Sequence, residues 1–207
     1  MQVTYHSLHG AVGESRHVFI RAGLLDSGLL DYTGLHHVLE IGLGTGLNAL
    51  LTLLEADRAA NRIYYTAIEA FPLEEEITRS LNYCTVLERP DYQARFEKIH
   101  GCPWEEMVEI SPYMRLTKHQ CRLQDFECRE GFNIVYYDAF APAAQPELWT
   151  EATFKKLFDL LLPGGILVTY CSKTVVRQAM LSAGFRVEKV QGPYGKREIL
   201  RAHKPEG

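Results

Sequence analysis

Glu40 stands two residues before the run Gly42-Leu43-Gly44-Thr45-Gly46-Leu47-Asn48, and a second acid, Glu69, closes the next β-prone run. Alternating glycines after an apolar stretch let the backbone turn sharply and approach a ligand closely. The spacing is Gly-x-Gly-x-Gly, and Leu47 stands where the third glycine of a dinucleotide fingerprint belongs. An adenosyl ligand without a pyrophosphate fits such a loop better. Glu40 can match an amino-acid ammonium, and loop N–H groups can match its carboxylate. Glu69 is acceptor-only and can take both ribose hydroxyls. Asp125, after a further expected strand, can take an adenine amino group. Taken singly, these glycines could be mere turns and these acids mere surface charges. Together, Glu40, Gly42, Gly44, Gly46, Asn48, Glu69 and Asp125 form the expected cofactor set, and the ligand read from them is S-adenosylmethionine.

A second group follows the strand-like run Phe132-Asn133-Ile134-Val135-Tyr136-Tyr137. It is Asp138-Ala139-Phe140-Ala141-Pro142, similar to the Asp-Pro-Pro-Tyr type of motif in amino methyltransferases. Methyl transfer from a sulfonium is an in-line displacement by a lone pair. A nitrogen nucleophile must be unprotonated and aimed. Asp138 can accept an amine N–H and orient it, or favour proton loss. Phe140 can stack on a flat base or simply pack under its loop.

These groups need a scaffold that brings strand ends together. Strands are expected over residues 37–41, 63–70, 115–124, 132–138 and 166–171. Helices are expected over 46–60, from Pro72, over 91–100, over 146–162 with a stop at Pro163-Gly164-Gly165, and from Ser172 to Gly184. Residues 185–190 and 197–202 flank Gly192-Pro193-Tyr194-Gly195, a hairpin signal. Alternating helices and near-continuous apolar strands mean an α/β fold with a mostly parallel sheet covered on both faces. The hairpin adds an antiparallel edge. Residues 1–35 do not alternate and are expected to cap the open end of the sheet.

The 207 residues suit one domain, with 46% hydrophobic and 23% charged residues. Collagen-like, disordered and disulfide-scaffold classes are excluded, as are membrane-spanning helices and a secretory start. The five cysteines form no Cys-x-x-Cys pair, so the expectation is free thiols in a reducing cytoplasm, with no metal. Net charge is −4, yet residues 173–207 hold eight Lys and Arg against three Glu. That surplus points to a polyanion contact, or else to a solvated surface.

With these pieces in place, the chain resembles the MnmC-type tRNA methyltransferases. The matching segments are 13–20, 40–48, 137–142, 146–149, 163–165, 183–185 and 195–198. The resemblance implies a class I, Rossmann-like methyltransferase fold. It implies methylation of 5-aminomethyl-2-thiouridine to 5-methylaminomethyl-2-thiouridine at the tRNA wobble position. Within it, Asp138 and Phe140 are the catalytic expectation, and Glu14, Trp149, Lys196 and Arg197 the substrate-side one. Two-domain members add a flavin-dependent oxidase. These residues are expected to hold no FAD site and to depend on a separate enzyme for the aminomethyl group. The rival readings are an aminopropyltransferase related to spermidine synthase and a non-catalytic cofactor-binding subunit.

Overall fold

The computed structural model describes residues 5–193 and 198–206. The chain opens with helix α1 (Tyr5–Ser15), which runs into a π-helical segment, Arg16–Leu25. The elements that follow are β1 (Leu35–Ile41), α2 (Leu47–Ala59), β2 (Arg62–Ile68), α3 (Glu75–Arg79), α4 (Tyr83–Val86), α5 (Gln93–Gly101), β3 (Met107–Ser111) and β4 (Met114–His119). The second half comprises β5 (Phe132–Tyr137), α6 (Glu151–Leu160), β6 (Leu161–Thr169), α7 (Thr174–Ser182), β7 (Arg186–Gln191) and β8 (Glu198–His203).

The strands form one eight-stranded sheet in the order β3-β4-β2-β1-β5-β6-β8-β7. Its centre, β4-β2-β1-β5-β6, is parallel. Antiparallel pairs β3–β4, β6–β8 and β7–β8 finish both edges. The expected mostly parallel sheet with a C-terminal antiparallel hairpin is therefore what forms.

The pleat sends neighbouring residues to opposite cores. Val38 and Tyr136 join the layer holding Leu50, Leu53 and Phe19. Leu39 and Tyr137 join the layer holding Phe154, Leu157 and Val176. These side chains are 0–2% exposed, so truncating one leucine costs about 2–5 kcal/mol. The chain leaves β1 for β2 on one side and returns to β5 on the other. At such a reversal the strand ends diverge and open a crevice.

Three local readings are corrected. The helix expected to run to residue 162 ends at Leu160, and β6 begins at once at Leu161, because Pro163-Gly164-Gly165 is absorbed into the strand start. Residues 107–111 were given no element, yet they pair with β4 as an edge strand. The N-terminal segment does more than cover the sheet's open end, for its π-helix lies against a face. A Cβ on Gly23 would stand 3.0 Å from Val168 Cγ2 and 3.2 Å from Tyr136 Cε1, so a larger residue there would have to push those side chains aside.

Candidate active site

Gly42, Gly44 and Gly46 carry φ of +90°, +49° and +69°, values that L side chains rarely adopt. The loop lies between β1 and α2. A Cβ on Gly42 would stand 3.0 Å from the Asp138 carbonyl oxygen, so the two strand ends can touch only through glycine. Gly44 faces open space on its Cβ side. Its N–H donates to Glu69 Oε2 at 3.0 Å, and the Phe71 N–H donates to Glu69 Oε1 at 2.9 Å. One carboxylate thus ties the glycine loop to the end of β2. His100, whose imidazole burial keeps neutral by lowering its pKa, hydrogen-bonds through Nε2 to Thr45 O at 3.2 Å.

Beside this loop opens a cleft of about 880 Å³ at the carboxyl ends of β1, β2 and β5. Glu14, Glu69, Asp125, Asp138 and Glu147 line it, against a single lining cation among the described residues, Arg122. Among the described residues no cluster of His, Cys, Asp or Glu could hold a metal ion. No helix among them is long and apolar enough to cross a membrane.

Asp138 follows β5, its N–H donating to Ile41 O at 3.1 Å. Its Oδ2 accepts from Asn48 Nδ2 at 3.0 Å. The same Nδ2 donates to Glu40 Oε1 at 2.9 Å, and Tyr65 OH donates to Glu40 Oε2 at 2.8 Å. Glu40 is fully buried. Burial first, and the nearby Asp138 charge second, push its pKa well above the usual carboxylate range. The loop after Asp138 is pinned by two donors. Tyr170 OH donates to Ala139 O and Trp149 Nε1 to Phe140 O, each at 2.8 Å. Phe140 itself is 68% exposed at the cleft, so it does not pack beneath the loop.

The structure brings most of the expected residues together: Gly42, Gly44, Asn48, Glu69, Asp125, Asp138, Phe140 and Glu14 all line the cleft. Three expectations take a different place. Glu40 does not line the cleft: its buried carboxylate accepts from Asn48 and Tyr65. Trp149 offers no stacking face. It is 5% exposed and packs edge-on against Tyr137, with ring centroids 5.0 Å apart. Gly46 is likewise outside the lining and serves the turn, where a Cβ would meet His100 Nε2 at 3.0 Å. Lys196 and Arg197 lie outside the described residues. The sequence reading missed Phe71, an exposed aromatic lining the cleft two residues after Glu69, and Tyr170, which fixes the Asp138 loop. An aromatic just past each strand end was the available signal.

The strand order, the glycine loop and an acid at the end of the next strand define a class I, Rossmann-like fold of S-adenosylmethionine-dependent methyltransferases. A family model described as S-adenosyl-L-methionine-dependent methyltransferase matches residues 105–205. The tRNA 5-methylaminomethyl-2-thiouridine biosynthesis bifunctional protein MnmC of Stutzerimonas stutzeri is 32% identical over 79% of this chain and 26% of its own length. The protein of the same name from Ectopseudomonas mendocina is 32% identical over 95% of this chain and 31% of its own. The crystal structure of MNMC2 from Aquifex aeolicus superposes with a TM-score of 0.68 at 23% identity, covering 91% of this chain and 59% of that one. Over residues 105–205 this chain matches the S-adenosyl-L-methionine-dependent methyltransferase model, and over most of its length it is similar to the MnmC proteins. It spans about a third or less of the length of these curated relatives.

Proposed function

We propose that this chain is a tRNA N-methyltransferase that converts 5-aminomethyl-2-thiouridine to 5-methylaminomethyl-2-thiouridine at the wobble position. The observation that carries the reading is Asp138: a carboxylate at the rim of an acid-lined cleft, oriented by a fixed amide and flanked by an exposed aromatic. The cleft fits the expected cofactor. Gly44 leaves open space beside Glu69, whose two oxygens are already held in place by backbone N–H groups. Asp125 stands on the same cleft for the adenine end. Bound there, S-adenosylmethionine supplies an electrophilic methyl group.

The chain's own residues do the rest. Asp138 accepts an N–H of the neutral amine, which aims the nitrogen lone pair along the line of displacement. Glu14 and Glu147 add negative potential at the cleft, which favours an amine substrate over an acid. The anticodon-loop base must leave its stack to reach the cleft, and Phe140 is the exposed ring on which it rests. Lys196 and Arg197, with Lys173 and Arg177, supply phosphate contacts. The step needs no flavin and no metal. The aminomethyl group comes from a separate enzyme, and the setting is the cytoplasm. The family model and the curated relatives favour this reading over aminopropyl transfer and over a non-catalytic subunit.

The test is mass spectrometry of nucleosides from bulk tRNA of cells that install only the aminomethyl group, after incubation with the chain and S-adenosylmethionine. The expected product is the methylaminomethyl nucleoside. An unmodified nucleoside pool, from protein that binds S-adenosylmethionine, would overturn the reading.

A further inference from the structure

A carboxylate that no ligand touches still needs a reason to be buried. Glu40 is 0% exposed, and burying a charge costs several kcal/mol unless it is well compensated. Its two donors, Asn48 and Tyr65, are neutral. For stability alone, apolar side chains of similar volume would serve as well or better.

Among the described residues, the hydrogen-bonded connection from Glu40 towards the cleft runs through the Asn48 amide. That amide is planar, with two diverging N–H groups on one nitrogen. Nδ2 lies 2.9 Å from Glu40 Oε1 and 3.0 Å from Asp138 Oδ2. Asp138 and an ionised Glu40 are both acceptors, so the amide orients with its nitrogen between them. The cost of this choice is visible: Asn48 Oδ1 is buried with no hydrogen-bond partner among the described residues. An amide free to choose would not leave its strongest acceptor unmade. Tyr65 in turn fixes the far oxygen of Glu40, so the carboxylate cannot rotate away from Asn48.

We propose that Glu40 is a positioning residue for methyl transfer: by holding the Asn48 amide it sets the plane in which Asp138 meets the substrate amine. This rests on the reading of Asp138 given above. Glu40 touches neither ligand and acts through another side chain. Its removal leaves the Asn48 amide held by Asp138 alone, free to pivot about that single hydrogen bond, so the plane in which Asp138 meets the amine is no longer fixed.

The experiment compares Glu40→Leu, Glu40→Gln and Asn48→Leu with the wild-type chain. It measures kcat and KM with S-adenosylmethionine and tRNA carrying 5-aminomethyl-2-thiouridine, beside calorimetric binding of S-adenosylmethionine. Glu40→Leu should lower kcat about tenfold or more, while KM and Kd for S-adenosylmethionine stay within about threefold. Glu40→Gln should restore kcat to within about threefold, since its oxygen still accepts from Asn48 and its nitrogen can donate to the Tyr65 hydroxyl. If Glu40→Leu does not fold, Asn48→Leu decides on kcat alone, which should fall by the same factor, since Asn48 itself lines the cleft. The inference is overturned if the leucine variants turn over at the wild-type rate. It is equally overturned if the S-adenosylmethionine affinity of Glu40→Leu falls along with its kcat, or if Glu40→Gln is as slow as Glu40→Leu. Asp138→Ala is run alongside. Should it keep full activity, the role of Asp138 fails; should it lose activity while Glu40→Leu keeps it, only the present inference fails.

Discussion

Glu40 and Glu188 are the same side chain in opposite electrostatic settings. Glu40, on the central strand β1, is buried and held by an amide and a phenol, and its pKa is raised. Glu188, on the edge strand β7, accepts from Arg201 Nε at 2.5 Å and His203 Nε2 at 2.8 Å. Those hydrogen bonds lower its pKa. Across the same hairpin Lys189 pairs with Glu198 at 2.6 Å. At the edge, charge is cancelled by charge. In the crevice, Glu69 and Asp138 line the cleft and accept from neutral donors, so their negative potential still reaches into it. The difference separates a surface whose charges largely satisfy one another from one that attracts a cationic or amine ligand.

The strongest break of this comparison lies inside the crevice, where Asp138 and Glu69 should fail in different ways. Asp138→Ala should lower methyl transfer by about 10²-fold or more, the scale of one positioned acid–base group, with S-adenosylmethionine affinity nearly kept. Glu69→Ala leaves ribose hydroxyls and the Gly44 N–H without their acceptor. It should weaken cofactor binding by ~1–3 kcal/mol. Calorimetry beside single-turnover rates separates the two. Equal loss of binding in both variants would mean the cleft has no division between a cofactor end and a reacting end.

A smaller effect is expected where the basic surplus of residues 173–207 meets RNA. Lys189 pairs with Glu198, and the substrate-side expectation falls on Lys196 and Arg197, so these are the pair to replace. Alanine at both should raise KM for tRNA and flatten its dependence on salt, by roughly 0.7 in the log–log slope for each lost phosphate contact. S-adenosylmethionine affinity should hold. An unchanged tRNA KM and slope would remove the hairpin from the RNA surface, and a lower melting temperature with equal damage to both substrates would make it a structural edge.

Much of this contrast was legible in the residue order, and the failures have physical causes. The glycine loop, Glu69 and Asp138 could be read because local backbone geometry and strand-end position follow from short-range pattern. Glu40 and Trp149 were assigned to ligand contact because they sit in the right motifs. Motif position does not say which side of the pleat a residue faces. Glu40 shares its face with Tyr65 and Asn48, and Trp149 is gripped among Tyr137, Phe154 and Tyr170. Both are long-range packing facts. The edge strand β3 was missed for a related reason. Its residues Met107, Val108 and Glu109 are at least partly exposed, so little apolar pattern marks it. The basic count of the C-terminal part overstated free charge, since cross-strand partners are invisible in composition.

The last test turns the two glutamates against each other through pH. Glu188 has a folded pKa below its unfolded value near 4.3, so the folded state binds fewer protons there. Its contribution is present above that unfolded value and is lost as pH falls through the folded one. The side chain is 46% exposed, so solvent screening holds the effect to about 0.2–1 kcal/mol. Glu188→Gln should therefore melt a few degrees lower at pH 7, with the gap closing below about pH 4. Glu40 has the opposite sign. Its folded pKa is raised, so the folded state holds the proton longer, and its contribution declines as pH rises from the unfolded value towards the folded one. Glu40→Gln should gain on the wild type in thermal stability over that rise. Melting curves from about pH 2 to 8 check both. Two variants whose gaps to wild type move in the same direction would erase the distinction between a carboxylate neutralised by cations and one held by neutral donors.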